Sequence, residues 1–353
     1  MCGIAGSFTR SGGPLPEEER RSVARMTRGL SHRGPDAEGL LPWDSGTFGH
    51  RRLAIIDPGS STQPMADGDD GPVLTYNGEL YNYRHLRDEL RTMGHHFRTA
   101  GDTEVVLRSY IQWGIACCER FRGMFAFAIY DRRKRLALLV RDHFGIKPLS
   151  WMAEGDCLRF SSESGPLLDG IAHPELDPAA IDRYLELGYL PSPLSACRQI
   201  HRLPPGHRLV VEAGCTAPRC ERYWRPPPPQ PRARPAAEIQ EEFRAVVSDS
   251  VRAHLVADVP FGCFLSGGLD SLLVASRMRE SLGPGIRTFT IGFDADGFDE
   301  RAAAAAAARG LETEHHEELT QPDALDLLDQ VIAAQGEPIG DSSLIPTWQV
   351  SRL

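Results

Sequence analysis

The sequence predicts a protein of mixed α and β structure in two domains. Its 353 residues exceed one ordinary domain, and 41% hydrophobic with 25% charged residues is a globular composition. The first half contains apolar strands separated by a short charged turn, whereas the second half has a strand, a glycine-rich loop and a helix in succession. Between them lies a proline-rich stretch, residues 224–231, which is typical of an extended linker.

The composition also excludes several classes of function. A net charge of -9 and a pI near 5.8 argue against nucleic-acid and membrane-surface partners. No apolar run approaches the roughly 20 residues that span a bilayer, and no signal-peptide pattern opens the chain, so we expect a cytoplasmic protein. Eight cysteines without a repeated CxxC favour neither disulfides nor structural zinc. Small-molecule chemistry is the expected role.

The amino terminus carries the first candidate for catalysis. Removal of Met1 would make Cys2 the terminal residue, with a thiol and a free α-amine close together. The reference pKa of an α-amine is about 7.7 to 8.0 and that of a thiol about 8.5, so the amine can accept the thiol proton near neutral pH. A cysteine at such a position is more often a small buried apolar residue. Cys2 alone therefore decides nothing.

The elements of the first half follow from apolar patterns and breakers. A turn at 31–36, Ser-His-Arg-Gly-Pro-Asp, suits a loop that closes over a polar substrate, and Arg52 stands beside Leu53 and Ile55 at the end of a strand. We predict strands at 4–8, 48–56, 73–76, 123–130, 136–140 and 158–161, and helices at 16–30, 83–93, 101–110 and 177–188. The strands at 123–130 and 136–140 form a hairpin. At its end, Arg141 and Asp142 are predicted to form a structural ion pair.

Two short polar stretches are ambiguous by themselves. Asn77-Gly78-Glu79 after an apolar strand usually marks a hairpin turn, but a helix follows here, and an Asn amide beside a glycine N–H can stabilise a developing oxyanion. Asp102 opens a helix, where it would ordinarily be only an N-cap.

Taken together, the motifs of the first half resemble those of the glutamine-hydrolysing asparagine synthetase family. The matching stretches occur in family order: Met-Cys-Gly-Ile-Ala-Gly, His-Arg-Gly-Pro-Asp, Arg-Leu-Ala-Ile-Ile-Asp, Tyr-Asn-Gly-Glu-Leu-Tyr-Asn, Asp-Thr-Glu-Val-Val-Leu, Gly-Met-Phe-Ala-Phe and Arg-Asp-His-Phe-Gly-Ile-Lys-Pro-Leu. The resemblance implies a class II glutamine amidotransferase domain with the N-terminal-nucleophile hydrolase fold, an α+β sandwich of two antiparallel sheets between helical layers.

The resemblance also implies roles for single residues. Cys2 would attack the glutamine amide, with Asn77 and Gly78 stabilising the oxyanion. Arg52 matches the residue that binds the substrate α-carboxylate, and Glu79 and Asp102 match those around its α-amino group, charges that suit these partners. Leu53 and Ile55 complete the expected glutamine site.

The second half has its own chemical stretch. It is Ser266-Gly267-Gly268-Leu269-Asp270-Ser271, preceded by a strand and followed by a helix to residue 279. Backbone N–H groups of such a loop can bind phosphate. Ser-Gly-Gly by itself is more often an ordinary turn. The chain has no Gly-Lys-Ser/Thr, so this is not the usual γ-phosphate loop. We also predict helices at 236–257 and 299–309, the latter stopped by Gly310, and a strand at 288–293 that makes a parallel, doubly wound α/β unit.

This stretch resembles the pyrophosphate loop of enzymes that split ATP into AMP and pyrophosphate. The resemblance implies an ATP site and Mg²⁺, with Asp270 helping to hold the metal; the implied nucleotide contacts are Leu265, Ser266, Gly267, Gly268, Asp270, Ser271 and Ile291. Family members continue into a second loop, Ser-Gly-Glu/Asp-Gly-x-Asp-Glu, which is absent from these 353 residues. We therefore expect a partial ATP-pyrophosphatase domain.

The expected domains are residues 1–210, a linker at 211–235, and 236–353. The expected function is glutamine-dependent asparagine synthesis, in which ammonia from glutamine reacts with an adenylated aspartate. Three alternatives stay open at this point: a related amidotransferase with a different carboxylate acceptor, a glutaminase alone, and a non-catalytic relic. Homodimer formation is also left open.

Overall fold

The computed structural model describes residues 1–353 except 216, 230, 232, 294–298 and 321–323. It consists of two compact units, the first formed by Met1–Pro227 with Ala334–Gly340 and the second by Pro228–Ala333 with Asp341–Leu353. Strands continue in the first unit as far as Arg222, beyond the expected boundary at 210. The first part of the stretch expected to be a linker is therefore sheet, because it pairs with strands of the same unit.

The described strands of the first unit form two antiparallel sheets. These strands are β1 (Gly3–Thr9), β2 (Ala37–Trp43), β3 (Gly46–Arg52), β4 (Met65–Ala66), β5 (Pro72–Leu80), β6 (Gly123–Asp131), β7 (Leu136–Arg141), β8 (Ser150–Glu154), β9 (Cys157–Ser161), β10 (His201–Arg202), β11 (His207–Glu212) and β12 (Arg219–Arg222). The first sheet has the order β10-β8-β9-β1-β3-β2 and the second the order β12-β11-β7-β6-β5-β4. The predicted β6–β7 hairpin is confirmed.

The core of this unit lies between the two sheets. Ile4, Phe8 and Phe48 from the first sheet share one buried cluster with Ala126 and Leu139 from the second. Every residue of β1 is buried, which is expected of a central strand covered on both faces. A further cluster joins its other face to the helix over residues 17–29.

The described residues also form helices in both units. They are α1 (Glu17–Gly29), α2 (Tyr83–Thr92), α3 (Asp102–Trp113), α4 (Gly165–Leu168), α5 (Pro178–Leu187), α6 (Ala236–His254), α7 (Leu269–Leu282), α8 (Arg301–Leu311), α9 (Ala324–Gln335) and α10 (Leu344–Val350), with a 3-10 helix at Gly114–Arg120. Since α1 covers the first sheet and α3 packs on β5 of the second, the unit is the expected α+β sandwich. Among the described residues, no helix combines the length and apolarity needed to cross a bilayer.

The second unit contains the expected parallel sheet. Its described strands, β13 (Gly262–Phe264), β14 (Arg287–Phe293) and β15 (Glu314–Thr320), pair in parallel in that order. Leu265 and Ala275 pack with Ala304 and Ala308, so α7 and α8 share a small core with the end of β13. The prediction that Gly310 stops α8 is wrong: the helix continues to Leu311, and Glu312 takes the left-handed conformation with φ 54°.

Candidate active site

Cys2 lies immediately before β1 and against the end of β3. Its thiol donates to the Leu53 carbonyl over 3.5 Å and accepts the Leu53 N–H over 3.4 Å. Burial raises the pKa of the Cys2 thiol, which the Leu53 N–H and the nearby amino group of the chain lower in part. Burial, with the positive charges of Arg33 and Lys147, also lowers the pKa of that amino group. The structure thus holds a protonated Cys2 thiol beside the amino group of Met1, which holds its proton weakly; the amine of Cys2 itself becomes free only when Met1 is removed.

All of the predicted glutamine residues except Asn77 line one cleft. It is lined by Cys2, Arg52, Leu53, Ile55, Gly78, Glu79 and Asp102, and also by Ile56, Gln63, Tyr76 and Thr103. Its volume is about 20 Å³, room for roughly one water molecule. A substrate the size of an amino acid therefore requires part of the lining to move.

Asn77 and Gly78 lie within a strand, where the pattern alone had favoured a turn. β5 continues to Leu80, and Gly78 stands opposite Phe125 of β6. A Cβ on Gly78 would lie 2.5 Å from the Met124 carbonyl oxygen, so only glycine fits here. The Asn77 side chain is 1% exposed, and its Nδ2 has no hydrogen-bond partner among the described residues. A buried donor without a partner is rare in folded proteins and points to a missing acceptor.

Asp102 and Glu79 form an acidic end of the cleft. Asp102 is the first residue of α3, and Gly101 is the N-cap. The Asp102 carboxylate accepts the Leu80 N–H over 2.9 Å and the Tyr76 hydroxyl over 2.8 Å, which ties α3 to β5. Burial raises the pKa of Asp102, and burial together with the Asp102 charge raises the pKa of Glu79 to about 8. The Glu79 Oε2 is buried without a partner among the described residues, as expected of a site for a cation.

Arg52 supports the opposite side of the cleft. It is 8% exposed, and its guanidinium donates to the carbonyl oxygens of Ile56, Asp57 and Pro58. Three of its five N–H donors are used in this way, which leaves capacity for a carboxylate. Asp57 in turn accepts the N–H groups of Ala100 and Gly101 over 2.9 and 3.1 Å. The loop after β3 and the start of α3 are thereby joined.

The second unit has a separate cavity of about 330 Å³. Of the predicted nucleotide residues, Leu265, Ser266, Ser271 and Ile291 line it, whereas Gly267, Gly268 and Asp270 are not among its lining residues. The Ser266 and Ser271 hydroxyls are 2.9 Å apart, and the Gly268 N–H donates to the Ser266 hydroxyl. The loop is thus ordered between β13 and α7, and Asp270 is exposed in the first turn of that helix. Phe289, Thr290, Glu300, Pro346, Thr347 and Val350 were not predicted but also line this cavity.

Comparison with known proteins matches the two halves of the chain to two domain families. Residues 1–224 match the glutamine amidotransferase domain family, and residues 242–353 match the asparagine synthase family. A putative glutamine-hydrolysing asparagine synthetase 2 of Methanocaldococcus jannaschii is 32% identical over 100% of this chain and 72% of its own length. The chain belongs to the glutamine-hydrolysing asparagine synthetase family.

Other members of this family are longer than the chain. A putative asparagine synthetase of Mycobacterium bovis is 36% identical over 100% of this chain and 57% of its own length, and asparagine synthetase 1 of Bacillus subtilis is 31% identical over 100% and 55%. The chain therefore spans little more than half the length of these relatives. A solved glutamine phosphoribosylpyrophosphate amidotransferase of B. subtilis aligns with a TM-score of 0.47 and 16% identity, over 93% of this chain and 70% of its own.

Sequence reasoning left some residues around the amidotransferase cleft without a role. Arg33, in the predicted closing loop, is 9% exposed and donates to the Cys2 carbonyl over 3.0 Å and to Glu163 over 2.6 Å. Gln63 pairs its side-chain amide with the backbone of Tyr76, accepting its N–H over 2.7 Å and donating to its carbonyl over 3.0 Å. No local pattern marks Gln63, because its partner is 13 residues away.

The predicted ion pair between Arg141 and Asp142 is wrong. The Arg141 guanidinium donates to the carbonyl oxygens of Gly145, Lys147 and Leu203. The Asp142 carboxylate instead accepts backbone N–H groups, so each side chain organises the loop after β7 separately.

Proposed function

We propose that the first unit hydrolyses glutamine at Cys2 as the amide-donor half of a cytoplasmic asparagine synthetase. The observation that carries this proposal is the unpartnered, buried Nδ2 of Asn77 beside the cleft that Cys2 and Gly78 line. An amide donor held there before substrate arrives is suited to the negative charge that develops when a thiolate attacks a carbonyl.

Hydrolysis then proceeds through two displacements at one carbon. After removal of Met1, the Cys2 amine takes the thiol proton, and the sulfur adds to the glutamine side-chain carbonyl. The oxyanion is stabilised by Asn77 and Gly78; its collapse breaks the C–N bond, and the ammonium of Cys2 returns the proton so that ammonia leaves. Water, deprotonated by the same amine, adds to the thioester and releases glutamate with the thiol.

The two ends of glutamine are recognised by opposite charges. Arg52 has unused guanidinium donors for the α-carboxylate, and paired N–H donors suit a carboxylate. Glu79 and Asp102 stand at the other side, where the uncompensated carboxyl of Glu79 suits the α-ammonium. Leu53 and Ile55 supply the apolar wall.

The second unit would activate the acceptor with ATP. Leu265, Ser266, Ser271 and Ile291 line a cavity at the end of parallel strands, the usual position of nucleotides in such sheets. Gly267, Gly268 and the start of α7 would face the phosphates. Asp270 would help to hold Mg²⁺, which commonly takes one or two carboxylates and completes its shell with phosphates and water. The exposed single carboxylate fits that arrangement, in which bound magnesium would neutralise phosphate charge.

Glutaminase activity is tested by glutamate release. The wild-type chain should release glutamate from glutamine, and Cys2→Ala should abolish this while leaving any ligation driven by added ammonia. Cys220→Ala, at an exposed cysteine, is the matched control and should retain full activity. Mass spectrometry should find Cys2 at the amino terminus, since retained Met1 would contradict the amine as base.

The acceptor is tested by formation of AMP and pyrophosphate with glutamine, ATP and magnesium present. AMP formation with aspartate would support asparagine synthesis. Turnover of another carboxylic acid without turnover of aspartate would change the acceptor, and glutamate release without AMP from any acid would leave a glutaminase.

A further inference from the structure

Lys147 is a buried cation to which the chemistry above gives no role. Its side chain is 5% exposed, and its ammonium makes no hydrogen bond or ion pair within the part of the chain that the structure describes. Burying an ammonium without a partner is unfavourable by several kcal/mol unless charge nearby compensates it. We therefore expect a negatively charged group near Lys147.

The loop that carries Lys147 is held rigidly. The Asp142 carboxylate, 1% exposed, accepts the backbone N–H groups of Phe144, Ile146 and Lys147 over 2.9 to 3.1 Å. It also accepts the N–H of Phe125 over 3.2 Å. The Lys147 backbone is therefore fixed by a carboxylate that also contacts β6.

β6 connects this loop to the glutaminase cleft. Phe125 stands opposite Gly78 in the β5–β6 ladder, and Met124 stands opposite Glu79. The loop thus lies next to the strand segment that carries the oxyanion and ammonium residues. The positive charge of Lys147 is close enough to lower the pKa values of both the Cys2 thiol and Glu79.

Several charged groups face these positions. Glu79, Arg33, Cys2 and Asp142 act on Lys147, whose pKa is lowered mainly by burial and raised in part by Glu79. Glu79 itself faces Asp102, Lys147 and the chain's amino group, and Tyr76 and Tyr81 feel its charge. Within this set, the Glu79 Oε2 is buried without a hydrogen-bond partner among the described residues, and Lys147 is the 5% exposed cation whose charge lowers the pKa of that carboxyl.

We propose that Lys147 is the internal counter-cation of the glutaminase site, positioned to stabilise negative charge on Glu79 when it binds the α-ammonium and on Cys2 when it attacks. The inference rests on the proposed glutaminase function and adds a positioning residue to it. Lys147 does not need to touch glutamine, because its charge acts through Glu79 and the sulfur.

The composition of the chain makes the choice of lysine informative. Lys134 and Lys147 are the only lysines among 39 basic residues. A lysine ammonium is compact and changes its protonation readily when buried, whereas a guanidinium stays charged and spreads its donors over a plane.

The first test is the pH profile of glutamine hydrolysis by Lys147→Met. Without the counter-cation, Glu79 and the amine both hold protons more tightly, so the acidic limb of kcat/KM should move up by about one pH unit. The KM at pH 7 should then rise about tenfold and recover as the pH is raised to 9. Lys147→Arg, which keeps the charge, should keep the wild-type limb, as should Lys134→Met at the exposed lysine. An unshifted limb with a uniform loss of kcat/KM would overturn the proposal.

The second test needs no variant at Lys147. In protein labelled with ¹⁵N-lysine, only two side-chain signals arise, and Lys134→Met assigns them. Lys147 should titrate below Lys134, and Glu79→Gln should lower its midpoint further because a neighbouring anion is removed. A Lys147 signal that titrates like Lys134 and ignores Glu79→Gln would refute the counter-cation. If wild-type protein released no glutamate from glutamine, the proposed function would fail instead, whatever the lysine signals showed.

Discussion

The sharpest prediction concerns Asn77, because its amide is buried and its Nδ2 has no partner. Asn77→Ala should lower kcat for glutamine hydrolysis by about 10²- to 10³-fold, the effect of losing one oxyanion donor, or about 2.7 to 4 kcal/mol. Stability should change little. No hydrogen bond from Nδ2 is lost, and removing an unsatisfied buried donor relieves a penalty of about 1 to 3 kcal/mol that offsets the cavity left behind.

Asn82 provides the matched control. Its amide donates to the Arg120 carbonyl over 3.0 Å and accepts the Arg122 N–H over 3.0 Å. Asn82→Ala should therefore reduce the free energy of unfolding by about 1 kcal/mol while leaving kcat within twofold. The assays are steady-state glutamate release and urea denaturation of the same preparations. If Asn77→Ala keeps kcat within threefold, or loses activity only in proportion to lost stability, the oxyanion assignment is wrong.

Three further outcomes follow from packing and charge. Gly78→Ala should destabilise the first unit by about 1 to 3 kcal/mol and abolish glutamine hydrolysis, because its Cβ would lie 2.5 Å from a backbone carbonyl oxygen. Gly59→Ala, with open space around it, should be neutral in the same thermal melts. Glu19→Gln should lower the free energy of unfolding by about 2 kcal/mol, because the buried Arg159 would lose its charge-assisted hydrogen bonds to Glu19 and keep only the more exposed Glu154 as a carboxylate partner; the exposed Glu17→Gln should change it by less than about 0.5 kcal/mol in urea titrations. Burial opposes ionisation of Glu19, but its bonds to Arg159 outweigh this and hold its pKa below 4.5; wild-type stability should therefore fall as the pH drops below about 4.5, and an equally steep fall in Glu19→Gln would contradict the assignment.

Local patterns predicted most of the fold and named several residues that line one cleft in the structure. Apolar strands and a charged turn were sufficient for the β6–β7 hairpin, whose strands are neighbours in the chain, and the strand–helix–strand order was sufficient for the parallel pairing of β13 with β14. Cys2, Arg52 and Asp102 come from separate motifs and line one cleft in the structure; that they bind glutamine there stays a prediction.

Local patterns say least where long-range pairing outweighs local preference. Asn77-Gly78 favours a turn by itself, but pairing with β6 keeps it extended, and glycine is required at 78 because a Cβ there would meet the Met124 carbonyl oxygen. Asp102 is suited to an N-cap, yet its carboxylate is used by the N–H of Leu80, 22 residues away. Lys147 lay within a recognised motif, but its burial beside Glu79 follows only from the packed loop after β7.

Asp57 connects the two charged ends of the cleft. It accepts the N–H groups of Ala100 and Gly101, which precede Asp102. The backbone carbonyl oxygen of Asp57 accepts a hydrogen bond from Arg52. A movement that admits an amino acid past Leu53 and Ile55 would disturb the contacts for both charged ends together.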